Sequence, residues 1–292
     1  MLERLILLAG LTLLTLPAQA SQKVLHTEKS LYRNIIVYEE NGTRCMRFGR
    51  ANGSRQTCYV LRRPEELVFE YTRMMMSALY LQPAPKNILI VGLGGGTLPM
   101  TLRKLLPDAR IDAVEIDPAV SKIAVRFFGL TPDAKLQVFE EDGRVFVKRQ
   151  ARAGRKYDLV MLDAFDHDYI PEHMLTREFL QEVKSLMAPG AVLASNTFSS
   201  SKLYKYESAT YAAVFGEFYN IKNASRVVLT RLGGLPKRSE IERNARQFED
   251  AFWRMKIDSD WLLERFQTQR DWPADTRVLT DQYSPSNLLN VS

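Results

Sequence analysis

Cysteine and histidine are the scarce residues of this 292-residue chain, which has two cysteines and three histidines. A tetrahedral metal site normally takes four ligands, so two cysteines cannot build one without other partners. His167 and His173 have no companion at metal-ligand spacing and are expected on a loop surface. The sequence therefore predicts no metal site.

Blocks of like charge, low-complexity segments and repeats of fixed period are missing too. The 40 basic and 34 acidic side chains leave a formal net charge of +6, which is spread along the chain. Proteins that bind nucleic acid usually concentrate their basic residues in a patch or a run. We therefore expect a solvated basic surface and no nucleic-acid partner.

Long hydrophobic runs are missing except at the start of the chain. Residues 5–16 are apolar, follow a short segment with Arg4, and precede Ala18-Gln19-Ala20. An apolar run too short to span a bilayer, between a positive charge and an Ala-x-Ala site, is typical of a secretory signal peptide. We predict a signal over residues 1–20 and cleavage after Ala20. The protein would then be exported to the periplasm or secreted, with no membrane span left.

Two alternatives to a cleaved signal are an uncleaved anchor and a misassigned start codon. If the segment is not a signal, the protein is cytoplasmic.

Export would place the two cysteines in an oxidising compartment, where a disulfide is stable. Both lie in a predicted hairpin with the turn signal Asn52-Gly53. With the turn centred there, Cys45 faces Val60 and Cys58 is only a diagonal neighbour, too far for a relaxed bridge. A disulfide therefore requires a different turn centre, and free buried cysteines are the alternative.

The segment after the signal is predicted to be a small antiparallel sheet. Residues 31–61 are rich in β-branched and aromatic side chains, and Asn41-Gly42 is a hairpin signal. A helix is predicted to begin at Pro64, which suits the first helical position. We assign residues 21–82 to an N-terminal β domain with a linking helix, and residues 83–292 to the main domain.

Strands and helices alternate in the main domain. This rhythm predicts a parallel sheet covered by helices on both faces. Ligands of such sheets bind beyond the carboxyl ends of the strands, which is where the polar motifs of this chain fall. The predicted strands are residues 88–91, 111–114, 136–139, 157–162 and 191–195.

The motif that organises the chain follows the first of these strands. Gly92 and Gly94 belong to a glycine turn, where the backbone can approach a ligand closely because glycine has no Cβ. Glu115 lies 23 positions after Gly92 at the end of the next strand, where an acid can accept hydrogen bonds from ribose hydroxyls. Together they predict half of a nucleoside pocket. The alternative for Glu115 is a surface carboxylate.

The next two strands also end in acids. Asp142, just before Gly143, could accept a hydrogen bond from an adenine amine or simply cap a helix. Asp163 and Asp166 could hold a cationic amine, and one of them could take its proton. The alternative is a turn in which aspartates bind their own backbone.

These motifs together resemble the signature of the spermidine synthases. The resemblance is carried by residues 92–96, 114–117, 141–143 and 157–166, and it covers about residues 31–196. It implies an α/β protein with a methyltransferase-type Rossmann fold, a mostly parallel sheet, and a small N-terminal antiparallel β domain. It also implies decarboxylated S-adenosylmethionine as co-substrate, a polyamine acceptor, and no permanently bound cofactor.

The resemblance also implies roles for single residues. Asp163 corresponds to the catalytic aspartate that takes the proton. The implied donor-binding residues are Gln56, Gly92, Gly94, Glu115, Asp142 and Gly143, and the implied acceptor-binding residues are Tyr71 and Asp166.

Departures from the family pattern concern the acceptor. Gly95 stands where the family has an aspartate, Arg73 where it has a glutamate, and His167 where it has a proline. Losing a carboxylate and gaining a cation would disfavour a dication such as putrescine.

We therefore predict a spermidine synthase-like aminopropyltransferase, and a homodimer is one assembly it could form. The first alternative is a methyltransferase that uses S-adenosylmethionine itself, whose carboxylate would need a partner such as Arg73. The second is an exported nucleoside- or polyamine-binding protein without catalytic activity. In all three cases the predicted partner is a small molecule.

Overall fold

The structure, a computed structural model, describes residues 22–49, 55–165 and 170–284. The predicted signal peptide, the Asn52-Gly53 turn, Asp166 and His167 lie outside these residues.

Four antiparallel strands, paired in chain order, form the predicted N-terminal sheet. Asn41 and Gly42 form its second turn with φ values of 50° and 73°, the backbone that a two-residue hairpin requires. The first strand precedes the predicted region. The strands are β1 (Lys23–Lys29), β2 (Asn34–Glu40), β3 (Thr43–Phe48) and β4 (Arg55–Val60).

Cys45 and Cys58 form a disulfide, with Cα atoms 4.1 Å apart. They lie directly opposite each other on β3 and β4, and Val60 is opposite Thr43. Cys45 therefore does not face Val60, and the disulfide has the different register that the sequence required for a bridge. The strands pair in a different register from one centred on Asn52-Gly53, and the pairing shifts again by one residue at Gln56. Such a bulge redirects a side chain, and Gln56 lies at the cavity described below.

The helix predicted from Pro64 begins later than expected. The observed helices are α1 (Glu70–Met76) and α2 (Ala78–Leu81), and Pro64 lies in a turn. The Leu67 carbonyl accepts a hydrogen bond from the Arg73 guanidinium, so a side chain occupies an acceptor that a longer helix would use.

A second, larger sheet has the predicted mostly parallel arrangement, with seven strands in the order β7-β6-β5-β8-β9-β11-β10. Strands β5 to β9 run parallel, whereas β11 pairs antiparallel with both of its neighbours, β9 and β10. The α/β fold class is thus confirmed. The strands are β5 (Asn87–Val91), β6 (Arg110–Glu115), β7 (Leu136–Glu140), β8 (Tyr157–Leu162), β9 (Met187–Phe198), β10 (Tyr219–Lys222) and β11 (Ser225–Arg231).

Helices connect these strands and follow them in the chain. They are α3 (Thr97–Leu105), α4 (Pro118–Phe128), α5 (Gly143–Arg152), α6 (Arg177–Leu186), α7 (Tyr204–Phe215), α8 (Arg238–Arg246), α9 (Glu249–Arg254) and α10 (Ser259–Glu264).

Apolar side chains cover both faces of the larger sheet. Successive residues of a strand point to opposite faces, and in β5 the side chains of Ile88 and Ile90 join one buried cluster while those of Leu89 and Val91 join the other. This burial on two sides explains the continuous apolar runs of the sequence. Among the described residues, no helix is long and apolar enough to cross a membrane.

Candidate active site

A cavity of about 460 Å³ lies at the carboxyl ends of β5, β6 and β8, beside the N-terminal sheet. All the predicted site residues that the structure describes line it: Gln56, Tyr71, Gly92, Gly94, Glu115, Asp142, Gly143 and Asp163. The structure therefore brings the predicted residues together.

The glycine turn after β5 brings the backbone close to β8. Gly92 has φ +103°, and a Cβ on it would lie 2.2 Å from the carbonyl oxygen of Asp163. Only glycine avoids both the strain and the clash. Gly92 thus lets the turn and the loop of Asp163 meet at the floor of the cavity.

Glu115, at the end of β6, faces the glycine turn. One carboxylate oxygen accepts a hydrogen bond from the Leu93 N–H at 3.3 Å, and the other from the Asp117 N–H at 3.0 Å. Burial raises the pKa of the Glu115 carboxyl, and the two backbone hydrogen bonds oppose that rise. The carboxylate is fixed toward the cavity with lone pairs left for a ligand.

Asp142 caps a helix and also lines the cavity, so its second carboxylate oxygen can still face a ligand. Its Oδ1 accepts a hydrogen bond from the Val145 N–H at 2.9 Å and so caps α5. Its Oδ2 lies 3.2 Å from Nε2 of His173, and this contact lowers the pKa of Asp142. His173, expected on a loop surface, is half exposed but lines the cavity.

Asp163, at the end of β8, lies partly buried in the lining of the cavity. Its Oδ1 accepts a hydrogen bond from Nδ2 of Asn196 at 2.8 Å, and its carboxylate also accepts one from the Tyr71 hydroxyl. Burial raises the pKa of Asp163 to about 7, although both hydrogen bonds act to lower it. A carboxylate with this pKa can take up a proton near neutral pH.

Sequence reasoning missed two further residues of the site. Asn196 follows the predicted strand 191–195, so its position at a strand end was a usable signal. Arg33, between β1 and β2, gave no such signal. It lines the cavity with its side chain 6% exposed, its guanidinium 4.4 Å from the Phe48 ring centroid, and its Nε without a hydrogen bond.

Two of the three departures that concern the acceptor, Gly95 and Arg73, lie in the part of the chain that the structure describes, and their outcomes differ. Gly95 lines the cavity, and a Cβ there would lie 2.5 Å from Cγ2 of Thr57, so an aspartate does not fit without movement. Arg73 does not line this cavity. It faces a separate pocket with Glu70 and Asn223. The expectation of an added cation in the site, or of Arg73 as partner of a donor carboxylate, is wrong.

The fold and the cavity define a class of protein: Rossmann-like α/β proteins with a polar cavity at the carboxyl ends of their parallel strands. Comparison with known sequences narrows the class. Residues 68–230, more than half of the chain, match the spermine/spermidine synthase domain. The chain belongs to the spermine/spermidine synthase family.

One relative is a polyamine aminopropyltransferase of Vibrio vulnificus, 43% identical over an alignment of 284 residues that covers 95% of each chain. A probable spermidine synthase from Corynebacterium glutamicum has the same fold, with a TM-score of 0.65 at 18% identity over 87% of this chain and 98% of that one.

Human methyltransferase-like protein 13 is a third similar protein, solved in complex with SAH. It has a TM-score of 0.57 and 26% identity over 74% of this chain and 100% of that one.

Proposed function

We propose that this protein transfers an aminopropyl group from decarboxylated S-adenosylmethionine to an amine of a polyamine acceptor. The observation that carries the proposal is Asp163, a partly buried carboxylate of the cavity lining with a pKa of about 7 that accepts hydrogen bonds from Tyr71 and Asn196. Membership of the spermine/spermidine synthase family supports it independently.

The reaction needs one nucleophile and one proton acceptor. The acceptor nitrogen attacks the carbon of the aminopropyl chain that is bonded to sulfur, the C–S bond breaks, and a neutral thioether leaves. The nitrogen loses a proton, which the Asp163 carboxylate takes. Tyr71 and Asn196 hold that carboxylate in place, while Glu115 would accept from the ribose hydroxyls and Asp142 from the adenine amine.

Charge on the cavity wall favours the decarboxylated donor. The described lining includes three carboxyl groups, those of Glu115, Asp142 and Asp163. It includes a single guanidinium, that of Arg33. Decarboxylated S-adenosylmethionine is a dication, whereas S-adenosylmethionine also carries a carboxylate, which this wall would repel. Methyl transfer from the carboxylated donor is therefore the less supported alternative.

Titration calorimetry tests the proposal with the two donors, each alone and with putrescine or spermidine. We expect tighter binding of the decarboxylated donor, and a transferred aminopropyl group in the product by mass spectrometry. Preference for S-adenosylmethionine would instead support a methyltransferase. Polyamine binding with neither donor would indicate a binding protein without catalysis.

We also propose that the protein is exported. The disulfide between Cys45 and Cys58 supports this, because cytosolic proteins rarely keep one. N-terminal sequencing after cell fractionation tests it: a periplasmic or secreted chain that begins at Ser21 is expected. A cytosolic chain that begins at Met1 would contradict it. The homodimer and the lack of a nucleic-acid partner stay predictions.

A further inference from the structure

The C-terminal turn, defined as residues 279–283, contributes no group to the proposed reaction but is firmly held. Leu279 is fully buried, its carbonyl accepts a hydrogen bond from the Arg177 N–H at 2.8 Å, and its own N–H donates to Thr210 at 2.9 Å. These contacts dock the turn against α6 and α7, so it has a fixed position from which to act.

Asp281 in this turn binds two side chains of the α5–α6 region. Its Oδ1 accepts hydrogen bonds from Nη1 of Arg144 at 2.8 Å and from the Thr176 hydroxyl at 2.7 Å, and its Oδ2 accepts one from Nη2 of Arg144 at 2.7 Å. The Arg144 guanidinium holds the pKa of Asp281 low, at about 2. Bidentate pairing of this kind fixes the orientation of the guanidinium as well as its distance from the carboxylate.

Arg144 connects this turn to the donor side of the cavity. It directly follows Gly143, is itself buried, and its Nη1 also donates to the carbonyl oxygen of His173 at 3.0 Å. The His173 imidazole in turn contacts Asp142 at 3.2 Å. The Arg144 guanidinium thus joins Asp281 to the main chain of His173, whose side chain contacts Asp142.

We propose that Asp281 is a positioning residue of the donor pocket, which acts through Arg144 to hold His173 against Asp142. Glu182 binds the same guanidinium at 2.8 and 2.9 Å, so Arg144 stays charged and anchored when Asp281 is changed. A variant without the Asp281 carboxylate loses the contact that fixes Nη1 of Arg144 beside the His173 carbonyl. The identity of the ligand rests on the proposed function, whereas the geometry does not.

Asp281→Ala and Asp281→Asn test this role as a graded pair, because asparagine keeps one of the two acceptor oxygens. Asp271→Asn is the matched control: Asp271 is another acid of the C-terminal region, bound to Lys222 and Tyr204 and absent from the described lining of the cavity. We expect Asp281→Ala to weaken calorimetric binding of decarboxylated S-adenosylmethionine about tenfold, and Asp281→Asn less. The kcat at saturating donor should stay within twofold, and the control should match the wild type.

Amide hydrogen exchange in the ligand-free protein is the second measurement. Residues 142–146 and 171–176 should exchange faster in Asp281→Ala but not in Asp271→Asn. Unchanged donor affinity and unchanged local exchange would overturn the positioning role, as would faster exchange throughout the larger sheet. A wild-type protein that binds no adenosyl donor would refute the proposed function, and the exchange result would then decide the role of Asp281 alone.

Discussion

The proposed donor side and the proposed acceptor side of the cavity are built differently. On the donor side, backbone N–H groups hold Glu115 and Asp142, and each acid lies at the end of a strand of the larger sheet. On the acceptor side, Tyr71 comes from α1, and the aspartate of the family pattern is replaced by Gly95. The donor side thus depends on short local motifs, while the acceptor side depends on how separate segments meet. Function can therefore change on one side with little effect on the other.

Asp163→Asn gives the largest expected effect, because Asp163 serves the chemical step rather than either binding half. Turnover should fall by a factor of about 10² to 10⁴, while calorimetric donor affinity stays within a few-fold. Asp108→Asn, a change at a side chain that is 80% exposed, should leave both quantities unaltered. Retained turnover in Asp163→Asn would remove Asp163 from the mechanism.

Glu115→Gln should damage the donor side alone. A glutamine amide can accept from only one of the two backbone N–H groups that Glu115 binds, and its NH₂ opposes the other. We expect donor affinity to fall about 10- to 100-fold with acceptor KM within twofold. Glu140→Gln is the control, since Glu140 lies beside Glu115 on β7 but is exposed. Equal losses in both variants would show that the effect is not one of ligand recognition.

The pH dependence of kcat/KM reports on the ionisation of the Asp163 carboxyl. Asp163 must be ionised to accept a proton, so kcat/KM should rise with pH through about 7. The Asn196 hydrogen bond lowers the pKa of Asp163, so Asn196→Ala should move this midpoint to higher pH. Ser195→Ala, which removes the partner of Tyr211, should not move it. A midpoint that stays or falls in Asn196→Ala would contradict the assignment.

Stability gives a second readout of the same carboxyl. Because its folded-state pKa of about 7 lies above the ordinary value of 3.8, the folded protein binds more protons than the unfolded chain between these pH values. The contribution of Asp163 to stability therefore falls as pH rises through that window. The Asp163→Asn variant should lack this decline in thermal unfolding measurements.

Gly95→Asp tests whether the acceptor side can accommodate the carboxylate that it lacks. The new Cβ would meet Thr57, and such overpacking costs about 1–3 kcal/mol of unfolding free energy. Adding Thr57→Ala should remove the two closest contacts, leaving Cβ of residue 57 at 3.1 Å, and should lower the KM for putrescine several-fold relative to Thr57→Ala alone. An unchanged KM in the double variant would show that position 95 does not contact the acceptor.

Arg73→Ala should have the smallest effect, because Arg73 faces a different pocket from the acceptor. The KM values for donor and acceptor should both stay within twofold of wild type in steady-state kinetics. A marked fall in acceptor KM would mean that the Arg73 charge reaches the site after all.

The donor side could be predicted from sequence because its geometry is local. A buried strand, a glycine turn and an acid on the next strand fix one another through the parallel pairing of β5 and β6. The register of Cys45 and Cys58 could not be predicted, because the bulge at Gln56 shifts the pairing without a signal in composition. Neither could the contact of His173 with Asp142, since it joins residues 31 positions apart.

The late start of α1 has a similar explanation. Pro64 and the acids after it have the pattern of a helix start, but tertiary contacts prevail there: Glu65 pairs with Lys104 of α3, and the Leu67 N–H donates to Met255. Local propensity is weaker than such contacts.

The close approach at Gly92 has a consequence for how this protein can diverge. Any side chain at that position would push on the main chain of Asp163, so the proposed nucleoside site and the proposed proton acceptor are coupled through the backbone. A descendant that keeps ligand affinity and abandons transfer can arise by replacing the aspartate, but not by replacing the glycine. A single substitution of Gly92 would therefore disturb both the proposed nucleoside site and the proposed proton acceptor.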